Sequence, residues 1–462
     1  MNRLSYPQVV RVYCTYQDPD YESPWQTLAP RASTGSGVVI GRGRILTGAH
    51  VVANATFLQV QKGSSPDKVV ARIAAIAHDS DLALLEVDPA FTSGIRAAEI
   101  GELPRLRDEV SVVGYPVGGE EVSITEGVVS RIEVQRYEHS KRQLLAVTVD
   151  AAINDGNSGG PVFNKGKVIG IAFQSLPDAE AIGEMVPAPV IRTFLEGVRR
   201  GKSSHVPGLG LGAQTLENPA LRKWLGLKDS EGGVLINSVQ YGTTAWGKLE
   251  KGDVILELDG LKIAPNGTVR YRDRFRCQFD VVVGEHFVGD TLVARVLRAG
   301  RRFTTKMVMQ PMAWLVPRYE YDVQPSWFTF GGVVFTRLTA EFLRVWGEKW
   351  WEKAPDNLLN AYYTGNRTEE RQEFIVLAQV LADEINVGYE HFQYDLVMEV
   401  DGKPPRHLAA FVQHLDVAKG PVILRTDIGG TLLFDAASAR KAGARIRQRY
   451  HVPSDRSADL AK

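Results

Sequence analysis

Cysteine is nearly absent: Cys14 and Cys277 are the only two in 462 residues. Thiols so far apart make no disulfide framework and give no sign of an oxidising compartment. Charge of one sign is also missing, since 54 Lys and Arg balance 54 Asp and Glu. The basic residues are spread along the chain, which excludes the electrostatic footprint of a nucleic-acid binder. The densest basic stretch, residues 270–276, is interrupted by Tyr271, Asp273 and Phe275 and reads as a surface loop that a partner could use. No run of about 18 apolar residues occurs, so no membrane span is expected. Residues 1–12 lack the apolar run of roughly 7–15 residues that marks a secretory leader. That predicts a cytoplasmic protein, with a periplasmic or extracellular home open to it if the N-terminus is trimmed. The histidines show no metal-ligand spacing and no HExxH, so neither metal nor cofactor is expected.

What is present is an ordinary globular composition, 44% apolar and 23% charged. The length suggests about three domains, because single cores rarely grow past ~250 residues. The most informative stretch is Ile153-Asn154-Asp155-Gly156-Asn157-Ser158-Gly159-Gly160. A serine hydroxyl is a weak nucleophile and must stand on a tight turn within reach of a base. The backbone N–H groups of that turn, here Gly156, Asn157 and Ser158, must face the oxygen that becomes negative during acyl transfer. Glycines permit such a turn because they tolerate positive φ and close approach.

Upstream, the apolar strand of Ile45-Leu46-Thr47-Gly48-Ala49-His50 delivers a histidine into a small-residue turn. Between the two lies His78-Asp79-Ser80-Asp81, just ahead of the apolar run Leu82-Ala83-Leu84-Leu85. The order is thus His50, Asp81, Ser158, with gaps of 31 (50 to 81) and 77 (81 to 158) residues. In these roles His50 takes the serine proton and returns it to the leaving amine, while Asp81 fixes the tautomer. Asp79 competes for the third role. Asp81 is preferred because it abuts the buried strand, and His78 and Asp79 read as loop residues. The segment before Ser158 would line the pocket for the residue preceding the scissile bond. Ala152, six positions before the serine, supplies no carboxylate for Lys or Arg, and with Ile153, Ile171 and Phe173 predicts a small apolar pocket.

Residues 1–200 read as short strands parted by glycine and proline turns, at 8–16, 37–41, 56–61, 69–77, 82–87, 109–114, 127–134, 144–150, 162–163 and 168–173. With the His-Asp-Ser order this predicts two six-stranded β-barrels, closed by a helix at 187–200 and followed by a linker at 201–207. The chain then repeats itself. Gly252-Asp253-Val254-Ile255-Leu256-Glu257-Leu258-Asp259-Gly260 matches Tyr394-Asp395-Leu396-Val397-Met398-Glu399-Val400-Asp401-Gly402 at an offset of 142 (394 − 252). Two copies of one small domain follow the barrels. The second carries an insertion, residues 337–373, whose Trp346, Trp350, Trp351, Tyr362 and Tyr363 are expected to pack inside. A helix at 436–449 and a polar tail close the chain.

These motifs resemble the HtrA/Deg serine proteases, closest to the plant-type Deg branch. The likeness rests on Thr34-Gly35-Ser36-Gly37, Leu46-Thr47-Gly48-Ala49-His50-Val51-Val52, Asp81-Leu82-Ala83-Leu84-Leu85, Gly114-Tyr115-Pro116 and Ala152 to Val162. It covers roughly residues 8–452. It implies a mainly β chain: a chymotrypsin-like double β-barrel protease domain (1–200), a linker (201–207), a first PDZ domain (208–312), a second with its helical insertion (313–434), and a C-terminal helix and tail (435–462). It further implies an ATP-independent endopeptidase for unfolded or damaged proteins, built as a homo-trimer or multiple of trimers. The first PDZ domain would bind C-terminal peptides through a carboxylate loop at Leu209, Gly210 and Leu211, with the peptide added as a strand. In the second, Gly331-Gly332-Val333-Val334 keeps only part of that pattern, which favours assembly. The chain departs from the family at Gly48, usually Asn, and at Asp155. The acid at 155 would either disfavour the oxyanion or help set a resting state of the 154–158 loop. The rival reading is a PDZ scaffold or holdase chaperone with little proteolysis; retention of all three triad residues argues for the enzyme.

Overall fold

The computed structural model describes residues 6–116, 121–153, 156–175 and 182–461. Six antiparallel strands close the first barrel in the spatial order Val9–Tyr16, Arg31–Gly41, Arg44–Thr47, Leu82–Val87, Lys68–Ala77 and Ala55–Lys62. The second barrel closes in the order Pro161–Asn164, Lys167–Ser175, Gly183–Pro187, Gln143–Val149, Ser123–Arg136 and Glu109–Gly114. Closure leaves no open sheet edge. The sequence reading overlooked one of these strands. Gly183–Pro187 is buried at all five positions, so it carries no period-two alternation, and a proline ends it.

The helix Ala188–Arg200 follows directly. Its buried Ala188, Ile191, Phe194 and Gly197 recur every third residue and form one face. Gly201 ends it at φ +61, with its N–H turned back to the last carbonyls.

By packing, the chain parts into two compact units, Met1–Tyr16 with Pro30–Met312, and Gln17–Ala29 with Ala313–Lys462. The first repeat lies in the former. Its sheet runs in the order Leu211–Thr215, Val234–Val239, Val254–Leu258, Thr291–Arg298 and Arg301–Val308. The second repeat forms two three-stranded sheets: Trp327–Phe330, Val333–Arg337 and Ile375–Val380, then Val397–Val400, Pro421–Thr426 and Thr431–Asp435.

The repeated Asp-Gly pairs make the same turn twice. Both residues have positive φ, +45 and +81 at Asp259-Gly260 and +50 and +77 at Asp401-Gly402, as a type I′ hairpin requires. Each aspartate then takes a backbone N–H (Val293 and Ile423, both 2.8 Å) and a histidine Nε2 (His286 and His414, both 2.7 Å).

In the insertion, Tyr362 is buried and stacks edge-on against the half-buried Trp350 at 5.1 Å, while Trp346 packs on Tyr394 at 4.9 Å. Trp351 and Tyr363, expected inside, are 49% and 62% exposed. Gln17–Ala29, the excursion between the first two barrel strands, joins this second unit. There Trp25 meets Trp327 at 5.4 Å, and Glu22 accepts the Tyr394 hydroxyl at 2.8 Å.

Candidate active site

His50 sits in the one-turn helix Ala49–Val52, directly after the buried strand Arg44–Thr47. Asp81 follows the short 3₁₀ turn His78–Ser80 in a left-handed conformation, φ +53. That twist carries its carboxylate beneath the histidine. Oδ1 accepts the His50 backbone N–H at 2.8 Å and Oδ2 meets His50 Nδ1 at 2.7 Å. Asp81 is 1% exposed, whereas the Asp79 side chain keeps 22%.

Burial works against charge on both partners, and their mutual attraction outweighs it. The Asp81 charge and hydrogen bond lift His50 above the ordinary imidazole value of 6.5. His50, with a smaller contribution from His139, holds Asp81 below the usual carboxylate range.

The serine turn comes from the second barrel. Gly156 and Gly159 have φ of +95 and +78. A Cβ on Gly159 would stand 2.4 Å from Thr47 Oγ1 and 2.5 Å from the Ser36 carbonyl, so only glycine fits. The turn is held from the first barrel by one residue that sequence reading did not single out. Ser36 donates its backbone N–H to the Ser158 carbonyl (2.9 Å) and its hydroxyl to the Gly156 carbonyl (2.7 Å). Ser36 Oγ in turn accepts the Tyr115 N–H, and its carbonyl accepts the Thr47 hydroxyl. A chain of hydrogen bonds thus runs from the histidine strand through Ser36 to the serine turn.

His50 Nε2 is buried and has no hydrogen-bond partner among the described residues, so the bond to Ser158 Oγ is not formed. The Asn157 side chain is likewise buried without a partner among them. Asn154 and Asp155, on which the charge argument for the oxyanion turn rested, lie outside the described residues. At Gly48 a Cβ would fall 2.6 Å from His50 Cε1, so the imidazole occupies space that any side chain at 48 would claim.

The four pocket residues are divided between two sides of a wall. Ile153 packs with Ala172 and Met185 inside the second barrel, and Gly183 leaves room for it: a Cβ there would be 2.4 Å from Ile153 Cγ1. Ile171 and Phe173 face the opposite way, into an apolar cluster shared with Leu46 and Leu82 of the first barrel. Ala152 is half-buried. A buried acid does stand on the neighbouring strand. Glu184 accepts Gln174 Nε2 at 2.5 Å, and burial raises its pKa.

Asp79 is no free loop residue. Its carboxylate accepts the Val206 N–H at 2.8 Å and lies 3.7 Å from His205 Nδ1, while Arg142 donates to the Val206 and Pro207 carbonyls at 3.0 and 2.6 Å. The segment leading to the first repeat is therefore tied down two residues from Asp81.

In the first repeat, Gly210 has φ +70, and a Cβ would meet Thr243 at 2.2 Å. Leu209 is buried, and Leu211 opens a strand whose other edge has no partner strand among the described residues. No group of three His, Cys, Asp or Glu among the described residues is arranged to hold a metal. No helix among them is long and apolar enough to cross a membrane.

Two closed barrels, a His-Asp pair on one and a glycine-held serine turn on the other define a trypsin-like serine endopeptidase. The comparisons agree. The trypsin-like peptidase domain family matches residues 35–171, and the PDZ domain family matches residues 316–459. "Protease Do-like 2, chloroplastic" of Arabidopsis thaliana is 38% identical over 98% of this chain and 75% of its own length. "Protease Do-like 4, mitochondrial" of the same plant is 36% identical over 96% of this chain and 84% of its own. A solved structure, "HtrA-type protease AlgW with tripeptide", aligns at 25% identity and a TM-score of 0.53, covering 67% of this chain and 95% of that one. The chain belongs to the Do-like (Deg) branch of the HtrA proteases.

Proposed function

We propose that the chain cleaves unfolded or damaged proteins without ATP, with Ser158 as nucleophile, His50 as general base and Asp81 as the group that orients it. The observation that carries this is the bidentate grip of Asp81 on His50, opposite a serine turn that Ser36 clamps. The backbone N–H groups of residues 156–158 then receive the oxyanion. The protease domain would occupy residues 1–200, the first PDZ domain 208–312 and the second 313–434, with a homo-trimer or a multiple of it as the working assembly.

Ser158→Ala should abolish casein cleavage and leave the fold intact, because a side chain at a turn contributes little to stability. Cleavage at the wild-type rate in Ser158→Ala would sink the assignment. Activity should rise with pH, since the base must be neutral to accept a proton. The Asp81 contact raises the His50 pKa, so that limb should lie above pH 6.5. Cuts should follow Val, Ile, Ala or Leu, with Lys and Arg disfavoured at least ~100-fold by the cost of burying an unpaired cation. Mass spectrometry of the casein fragments reads this directly. Most cuts falling after basic residues would refute the pocket and draw attention to Glu184.

The unformed bond between His50 Nε2 and Ser158 favours a second reading, a holdase that keeps its site at rest. A fluorophosphonate probe separates the two, because it labels only a serine activated by its base. For the compartment we propose a reducing one, such as the cytoplasm, since both cysteines are buried thiols and form no disulfide framework.

A further inference from the structure

The densest basic stretch of the chain, expected as a surface loop, is the end of a hairpin. Thr268–Tyr271 pairs with Phe275–Gln278, and Arg270 stands directly opposite Arg276. Side chains alternate across this ribbon. Val269, Tyr271 and Cys277 point inward and share one apolar core with Ile132 of the second barrel, where Cys277 Sγ lies 3.9 Å from the Ile132 carbonyl. The outward face carries Arg270 and Arg276, and the tip adds Arg272 and Arg274. All four arginines are exposed.

Two features of the ribbon work against stability. Like charges directly opposite on one face repel, as Arg270 and Arg276 do here. The tip turns through Arg272 and Asp273 at φ +48 and +56, and the Arg274 N–H closes it on the Tyr271 carbonyl at 3.1 Å. That geometry is a type I′ turn, which ordinarily takes Asn, Asp or Gly, and a long side chain is strained at positive φ. Little nearby offsets the charge. Arg272 has Glu285 at 3.7 Å, an exposed pair. Arg270 gives its guanidinium to the neutral carbonyl of Asp273 at 3.0 and 3.2 Å, which braces the tip. Among the described residues, Arg274 and Arg276 have no carboxylate within ion-pair distance.

We propose that the outward face of this hairpin is a docking surface for an acidic segment of a protein, with Arg270, Arg274 and Arg276 taking its carboxylates. Charge complementarity selects an anion, and the guanidinium fork suits carboxylate or phosphate. The rest of the face narrows the choice. A nucleic-acid strand stacks its bases on exposed aromatics, whereas Tyr271 and Phe275 both lie on the inward face, packed on the barrel core. A membrane surface takes an apolar wedge, whereas this tip is Arg272-Asp273-Arg274. An acidic segment needs only cations held in place, and the inward anchoring holds these before anything binds. The surface does not depend on the triad.

The test is fluorescence polarisation of labelled poly-L-glutamate with the full-length chain at low salt. An exposed ion pair is worth up to about fivefold in affinity, and charge reversal adds a repulsion. The double variant Arg274→Glu, Arg276→Glu should therefore bind at least ~10-fold more weakly than wild type, and wild-type binding should fall as salt is raised. Arg276→Glu alone should also weaken binding while its melting temperature holds or rises, because it sets an opposite charge across from Arg270. That combination separates lost docking from lost folding. Equal binding by wild type and the double variant overturns the proposal. Tighter binding of an oligothymidylate, or of vesicles of phosphatidylserine and phosphatidylcholine, through the same arginines overturns it too, since the partner would then be a nucleic acid or a membrane.

Discussion

In the first repeat the strand Leu211–Thr215 is the outermost of its sheet, pairing among the described residues with Val234–Val239 on one side only, and its last three residues are exposed. In the second, the strand at the matching place, Val333–Arg337, lies between two others and is buried at four of five positions. The extra neighbour is the chain's own Trp327–Phe330, folded back through Gly331-Gly332. Both glycines have positive φ, +58 and +81, the geometry of a two-residue hairpin. In the first repeat the chain instead reaches its glycine loop from Val206 and Pro207, whose carbonyls accept from Arg142 of the second barrel. What differs is the direction from which the backbone arrives, and with it whether the strand keeps an uncovered edge among the described residues.

The strongest way to break this comparison is Gly332→Val. A Cβ there would lie 2.3 Å from Asn386 Nδ2 and 2.6 Å from the Leu381 carbonyl, at φ +81. Strain and overpacking together should cost about 3 kcal/mol or more. The second unit should melt well below wild type while the first keeps its transition; an unchanged melting profile would mean the hairpin is not what fills the edge.

Peptide binding sharpens the contrast. A peptide with an apolar C-terminus should bind the full chain at one site, and amidating that terminus should weaken it about 10- to 150-fold through loss of a charge-assisted bond. Gly210→Val should remove the same site. Two equal sites per chain in a fluorescence polarisation titration would erase the distinction drawn between the repeats.

The smallest effect belongs to the tail. Asp455 and Ser457 pair with the free side of Trp327–Phe330 through Thr329 N–H (2.7 Å) and the Trp327 carbonyl (2.9 Å). Deleting residues 454–462 should lower the stability of the second unit by about 1–2 kcal/mol. The peptide stoichiometry should stay at one, since the hairpin remains.

Much of this was legible in the sequence. Strand and turn signals together with the His-Asp-Ser order foretold two barrels, and burial was the ground for preferring Asp81, the carboxylate that meets His50 Nδ1, to Asp79. The chemistry of isolated residues was harder. Ser36 earns its place through bonds to residues 120 or more positions away, and no local pattern marks such a partner. His139 stood among histidines without ligand spacing, because its contacts with His78 and His50 form only when the two barrels meet. The pocket residues were read as one set from their nearness to Ser158, yet alternation along the strand sends Ile171 and Phe173 to the far face from Ala172. The aromatic insertion was split by the same limit, since Tyr362 and Tyr363 are neighbours in sequence and point to core and solvent.

The Gly331-Gly332 turn has a consequence in mass action. Trp327–Phe330 is tethered to the edge it covers by two residues, so its local concentration there is on the order of millimolar or higher. A free peptide at micromolar concentration would be outnumbered about a thousandfold for the same hydrogen bonds. The edge of Val333–Arg337 is thus already taken by a competitor that never diffuses away, and only a change that unlatches the hairpin would free it.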